Sequence, residues 1–118
     1  MTNNGSSKPR GLLPPPARYQ IYRQMRAGYF AGGFHTDSPS DAVQSFLATA
    51  PAFEGGSIRL WDHHEDRLLA SVEWAVEKTG FGFFVRTRSN IFHDTTYARI
   101  AEQITEREQI IASFRQAV

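Results

Sequence analysis

The chain contains no cysteine. That absence removes disulfides, thiolate nucleophiles, zinc-thiolate sites and iron-sulfur clusters together, and it is compatible with a reducing compartment. Long apolar runs are missing as well. Nowhere do roughly eighteen apolar residues follow one another, and Met1 to Arg10 offers no hydrophobic core for a secretory signal. The expectation is a cytoplasmic protein that makes no use of a membrane. Neither a G-x-x-x-x-G-K-[ST] nor a G-x-G-x-x-G phosphate cradle occurs, since Gly80-Phe81-Gly82 lacks the third glycine and a following helix. No G-x-S-x-G elbow is present. The sequence thus names no catalytic residue, no metal ligand and no cofactor.

What is present suits one globular domain. A chain of 118 residues is too short for two independent cores, and its 41% hydrophobic residues, with nine Phe, four Tyr and two Trp, supply enough apolar surface for one. Charge is unevenly spread. Before Asp37 there are five basic and no acidic residues (+5), and the remainder holds eight basic against twelve acidic (−4), which sum to the net +1. A basic arm on an acidic body can meet an anionic partner or dock on its own body.

Residues 1–16, with Asn, Gly, Ser and four prolines, read as a flexible tail, and residues 17–118 as a single α+β domain. Pro16 suits a first helical turn and no breaker follows until Gly28, so the spacing of Ile21, Tyr22, Met25 and Tyr29 predicts a first helix over 17–27. Residues 29–35 fit an edge strand or a packed loop. Ser38-Pro39 with Asp41 resembles a capping box, and Ala42, Val43, Phe46, Leu47 and Ala50 predict a second helix that Pro51 stops.

From Ser57 the hydrophobic period becomes two. Leu68 to Val76 and Phe81 to Val85 read as strands joined at Glu77-Lys78-Thr79-Gly80, with Gly80 closing the turn. Placing Val72 and Trp74 on one apolar face with Phe83 and Val85 requires pairs whose numbers sum to an odd value. Ser57 to Asp62 adds a third strand whose inward pair, Ile58 and Leu60 or Arg59 and Trp61, depends on the length of the next turn. A last helix capped near Asp94 carries Tyr97, Ile104, Ile111 and Val118 every seven residues, and spans about 35 Å. The expected architecture is a three-stranded antiparallel sheet, four-stranded if 29–35 pairs, packed against two N-terminal helices and one long C-terminal helix.

Clusters of reactive residues have ordinary explanations. Asp62-His63-His64-Glu65-Asp66 holds metal-ligating types, but adjacent histidines on a strand point oppositely and the spacing matches neither the helical i, i+4 pair nor a zinc finger, so a solvated turn is the reading. His93-Asp94 near Ser89 recasts as a loop with Asp94 as helix cap. Glu73 and Glu77 lie about 13 Å apart along a strand, too far for a paired-acid site.

Three functional classes follow. The first is a non-enzymatic protein-interaction domain, homodimeric through the C-terminal stripe at Ile104, Ile111, Phe114 and Val118, where the interruption by Arg107 favours a short or mixed helix-sheet contact over a long coiled coil. The second is single-stranded nucleic-acid binding through Arg23, Arg26, Phe84, Arg86 and Arg88, opposed by Glu73 and Glu77, which the alternation places on that same face. The third is a small-ligand enzyme using His35, His63, His64 and His93, which needs two or more of them in one pocket.

Overall fold

The computed structural model describes residues 16–116. The expected tail, apart from Pro16, and the stripe residue Val118 lie outside the described residues. In chain order the elements are β1 (Tyr19–Gln24), β2 (Phe30–Thr36), α1 (Pro39–Ala48), β3 (Ile58–Asp62), β4 (Arg67–Lys78), β5 (Phe84–Phe92) and α2 (Thr95–Gln116). The strands form one antiparallel sheet in the order β2-β1-β3-β4-β5. The α+β class holds, but among the described residues the sheet has five strands rather than three or four and there are two helices rather than three.

The helix expected over 17–27 is β1 and the turn that follows it. Tyr19 and Ile21 are buried on one face while Gln20 and Tyr22 turn to the other, a period of two that a short stretch rich in Tyr and Ile sustains better than a helix. The helical spacing of Ile21, Tyr22, Met25 and Tyr29 is broken at the turn, where Gly28 takes φ +98 and its N–H donates to the Met25 carbonyl. Residues 30–36 complete a hairpin with β1, so the edge-strand alternative for that segment is the one realised.

The β4–β5 register also differs from expectation. Trp74 pairs with Arg88 and Val76 with Arg86, so the arginines share a face with Trp74, and the pair sums are even. The cause is the turn. Gly82, not Gly80, takes the left-handed conformation (φ +87), and Thr79 N–H donates to the Phe83 carbonyl at 2.7 Å, closing a three-residue loop. Phe81 therefore lies at the hairpin tip and β5 begins only at Phe84, which shifts every side chain by one position.

One sheet face is covered by α1 and α2. Tyr19, Ile21, Ile58, Leu60, Leu69, Ala70 and Val72 meet Ala42, Val43, Phe46, Tyr97, Ala101 and Ile104 in a single core. Ile58 and Leu60 are thus the inward pair of β3. An extra residue in β4 opposite the Leu60/Trp61 step brings Leu69 and Ala70 both into the core. The second helix formed as expected: the Ser38 side chain accepts from Asp41 N–H at 3.2 Å, with Pro39 in the first turn. Asp94 caps α2 by accepting from Thr96 N–H at 2.8 Å, and it is held by Arg67 at 2.6 Å.

Candidate interaction surface

Two segments run past the core and carry their apolar residues into solvent. The first is the β4–β5 hairpin end. Phe81 is 90% exposed, Phe83 71% and Phe84 72%, with Val76 and Val85 exposed beside them. Thr79 organises this tip, its Oγ1 accepting from Phe81 N–H at 3.3 Å and Phe83 N–H at 3.2 Å. The phenylalanines are therefore displayed on an ordered turn. The sequence reading put Phe83 and Val85 in the core; the signal it missed is the pair of glycines, Gly80 and Gly82, bracketing Phe81, which marks a loop rather than a strand.

The second segment is the C-terminal half of α2. Tyr97, Ala101 and Ile104 are buried against the sheet and α1, but every described residue after Ile104 is exposed, including Ile110, Ile111 and Phe114. Of the stripe assigned to association, Ile104 belongs to the monomer core, while Ile111 and Phe114 are presented to solvent. Ile111 borders a depression of about 390 Å³ that Gln44 of α1 shares with Ile104, Arg107 and Arg115.

The residues proposed for nucleic acid do not gather. The guanidinium of Arg88 donates to the Phe46 carbonyl at 3.2 Å, the Thr49 carbonyl at 3.3 Å and Asn90 Oδ1 at 3.0 Å. It ends helix α1, and burial pushes its pKa down. Arg86 pairs with Glu54 and lies 4.8 Å over the Trp74 ring. Arg26 stacks on Phe53 at 5.5 Å, Arg23 is exposed on β1, and Phe84 stands at the hairpin end. Glu73 and Glu77 lie on the opposite sheet face from both β5 arginines.

That opposite face is covered by no helix among the described residues. It displays Tyr22, Arg59, Trp61, Ser71 and Glu73, with Arg59 stacked 3.9 Å from the centre of the Phe30 ring. His63 accepts or donates within a small knot, 2.9 Å from Gln20 Oε1 and 3.3 Å from the Tyr22 hydroxyl. His35 Nδ1 accepts from Ala17 N–H at 3.3 Å on the β2 edge, whereas His93 follows β5 at the far edge. His64 sits in the β3–β4 turn, where its N–H donates to Asp62 Oδ1 at 2.9 Å. Among the described residues no three His, Asp or Glu side chains converge on a point fit for a metal ion. No helix among them is long and apolar enough to cross a membrane.

The two sheet edges are unlike. The β2 edge contains Gly32 and Gly33 and is irregular, its pairing with β1 shifting between Gln20 and Tyr22. The β5 edge has nine residues, no proline, no glycine and an unbroken register with β4. Such an edge is an open template for another strand unless charge or a bulge protects it. The β5 arginines give little protection, because the Arg88 guanidinium is bonded to the end of α1 and that of Arg86 is turned to Trp74 and to Glu54 in the loop after α1. Comparison with known proteins finds no matching family model, curated protein or solved structure.

Proposed function

We propose that this domain is a non-enzymatic protein-interaction module that self-associates. The observation that carries this reading is the concentration of exposed large hydrophobic residues in two segments, the hairpin end (Val76, Phe81, Phe83, Phe84, Val85) and the last turns of α2 (Ile110, Ile111, Phe114). The three phenylalanines of the hairpin alone expose on the order of 450 Å², at 150–250 Å² per aromatic side chain. That matches the largest apolar patches of soluble monomers, which commonly mark contact sites. Closed homodimers are the commonest way for one chain to cover such surface with its own copy.

Chemistry at the histidines has less support, because they are spread over β2, the β3–β4 turn and the end of β5. Nucleic-acid binding loses the two arginines on which it chiefly rested, both of which serve the α1 end of the fold.

The test of this reading is Ile111→Glu in the full chain. Ile111 is 44% exposed and outside the core. The charged variant is expected to shift the chain toward monomer and, at a concentration where both proteins are monomeric, to keep the wild-type unfolding midpoint. A variant that stays associated, with the same dissociation constant as the wild type, would remove the C-terminal half of α2 from the contact.

A further inference from the structure

We infer that β5 is the pairing edge of a two-fold homodimer in which Ser89 lies opposite the partner's Ser89. The inference rests on the self-association proposed above and adds its geometry. His93 N–H donates to the Leu69 carbonyl and Thr79 N–H to the Phe83 carbonyl. These bonds set the phase of the ladder, so the odd-numbered residues of β5 exchange hydrogen bonds with β4. The even-numbered residues Phe84, Arg86, Arg88, Asn90 and Phe92 turn their N–H and C=O groups outward. A second strand running antiparallel can satisfy them.

The side chains choose the register. Two antiparallel copies of β5 bring same-face residues opposite each other, so like charges must be kept apart. Centring on Arg88 sets arginine against arginine, and centring on Thr87 sets Arg86 against the partner's Arg88. Centring on Ser89 avoids both and, unlike centres closer to Phe92, keeps most of β5 paired: Arg88 meets the partner's Asn90, Arg86 the partner's Phe92, and Thr87 the partner's Ile91. Asn90 Oδ1 already accepts from Arg88 Nε within one strand at 3.0 Å, so the paired side chains are complementary.

Area supplies the reason for a second copy as the occupant. A stable interface takes about 800 Å² from each partner, and the hairpin phenylalanines offer on the order of half that. In this register Phe84 lies opposite the partner's Asp94, which sets each aromatic hairpin end beside the first turn of the other α2. Edge pairing and hairpin burial therefore occur together. The five-strand sheet is doubled into one continuous sheet with both α2 helices on the same face.

The absence of cysteine makes a direct test available. Ser89 is exposed, and Ser89→Cys introduces a single thiol. In the proposed register position 89 is a non-hydrogen-bonded pair with Cα atoms about 4.5 Å apart, inside the range a disulfide spans. Mild oxidation of the full chain is expected to convert most of Ser89→Cys to a covalent dimer. Thr87→Cys should stay largely uncrosslinked, because the two copies of position 87 are about 13 Å apart. Asn90→Pro removes an outward N–H without touching the β4 ladder, and is expected to raise the dissociation constant at least about tenfold. If the wild type is dimeric yet Ser89→Cys does not crosslink and Asn90→Pro is silent, the edge is not the contact while self-association stands. Crosslinking at Thr87→Cys instead would overturn the register. A wild-type monomer would overturn both.

Discussion

Arg88 on β5 donates from its guanidinium to the main-chain carbonyl of Phe46, at 3.2 Å, in the last turn of α1. The last carbonyls of a helix have no intrahelical donor, and here a strand side chain supplies one, with Thr49 receiving a second bond at 3.3 Å. Because Phe46 is fully buried and packs edge-on against Phe92 at 5.6 Å, this contact fixes α1 against the outer strands.

Arg88→Ala is accordingly expected to lower unfolding free energy by about 1.5–3 kcal/mol, the range for hydrogen bonds from a charged group. Arg86→Ala should cost below about 1 kcal/mol, since its partner Glu54 is solvent-exposed. Urea unfolding of the two variants measures the difference. Equal losses would show that Arg88 is not the capping group.

Phe46→Ala should cost about 3–5 kcal/mol, as expected for deleting a fully buried aromatic. Trp74→Ala should cost less. Its ring is only half-buried against the core, shared with Arg86, and its Nε1 finds no hydrogen-bond partner among the described residues. Chemical denaturation would contradict this ordering if Trp74→Ala proved the more damaging.

Phe81→Ser is expected to change unfolding free energy by no more than about 0.5 kcal/mol, the usual range for a surface position. Measured where the chain is monomeric, a loss of several times that would mean the hairpin end is buried within the monomer, against its 90% exposure.

Much of the fold is readable from residues alone where local signals agree. Ser38, Pro39 and Asp41 announce α1, the alternation from Leu68 to Val76 announces β4, and Tyr97, Ala101 and Ile104 mark the inner side of α2. The reading fails where two periods compete. In 17–29 the positions Ile21, Tyr22, Met25 and Tyr29 satisfy a helix while Tyr19 and Ile21 satisfy a strand, and the decision is made by pairing to β3, which is 34 or more residues away in sequence. At the hairpin, a choice between Gly80 and Gly82 for the left-handed position moves Arg86 and Arg88 from one sheet face to the other. The candidate contact inherits that ambiguity: Ile111 and Phe114 stand out from periodicity, whereas the exposed phenylalanines emerge only once the turn is placed.

Acid should destabilise the fold through its aspartates. Asp62 is fully buried; burial opposes its ionisation, and the Arg18 guanidinium at 3.0 Å with the N–H groups of Glu65 and His64 overcomes that, holding the carboxyl below the ordinary range. Asp94 is held low by Arg67 and by Thr96 N–H. A carboxyl depressed in the folded state contributes stability above its unfolded pKa, near 4, and loses it as pH falls through the folded value. The melting temperature is expected to be insensitive to these groups near neutrality and to fall below about pH 4. Asp62→Asn should flatten that acid limb, and an unchanged slope would remove Asp62 from the account.

The self-association proposed here has the chain cover its exposed hairpin end with a second copy of itself. Sedimentation equilibrium of the full chain over the micromolar range tests it most directly. A mass of twice the 13.3 kDa chain is expected, falling toward one chain on dilution; a single-chain mass throughout that range would rule out self-association.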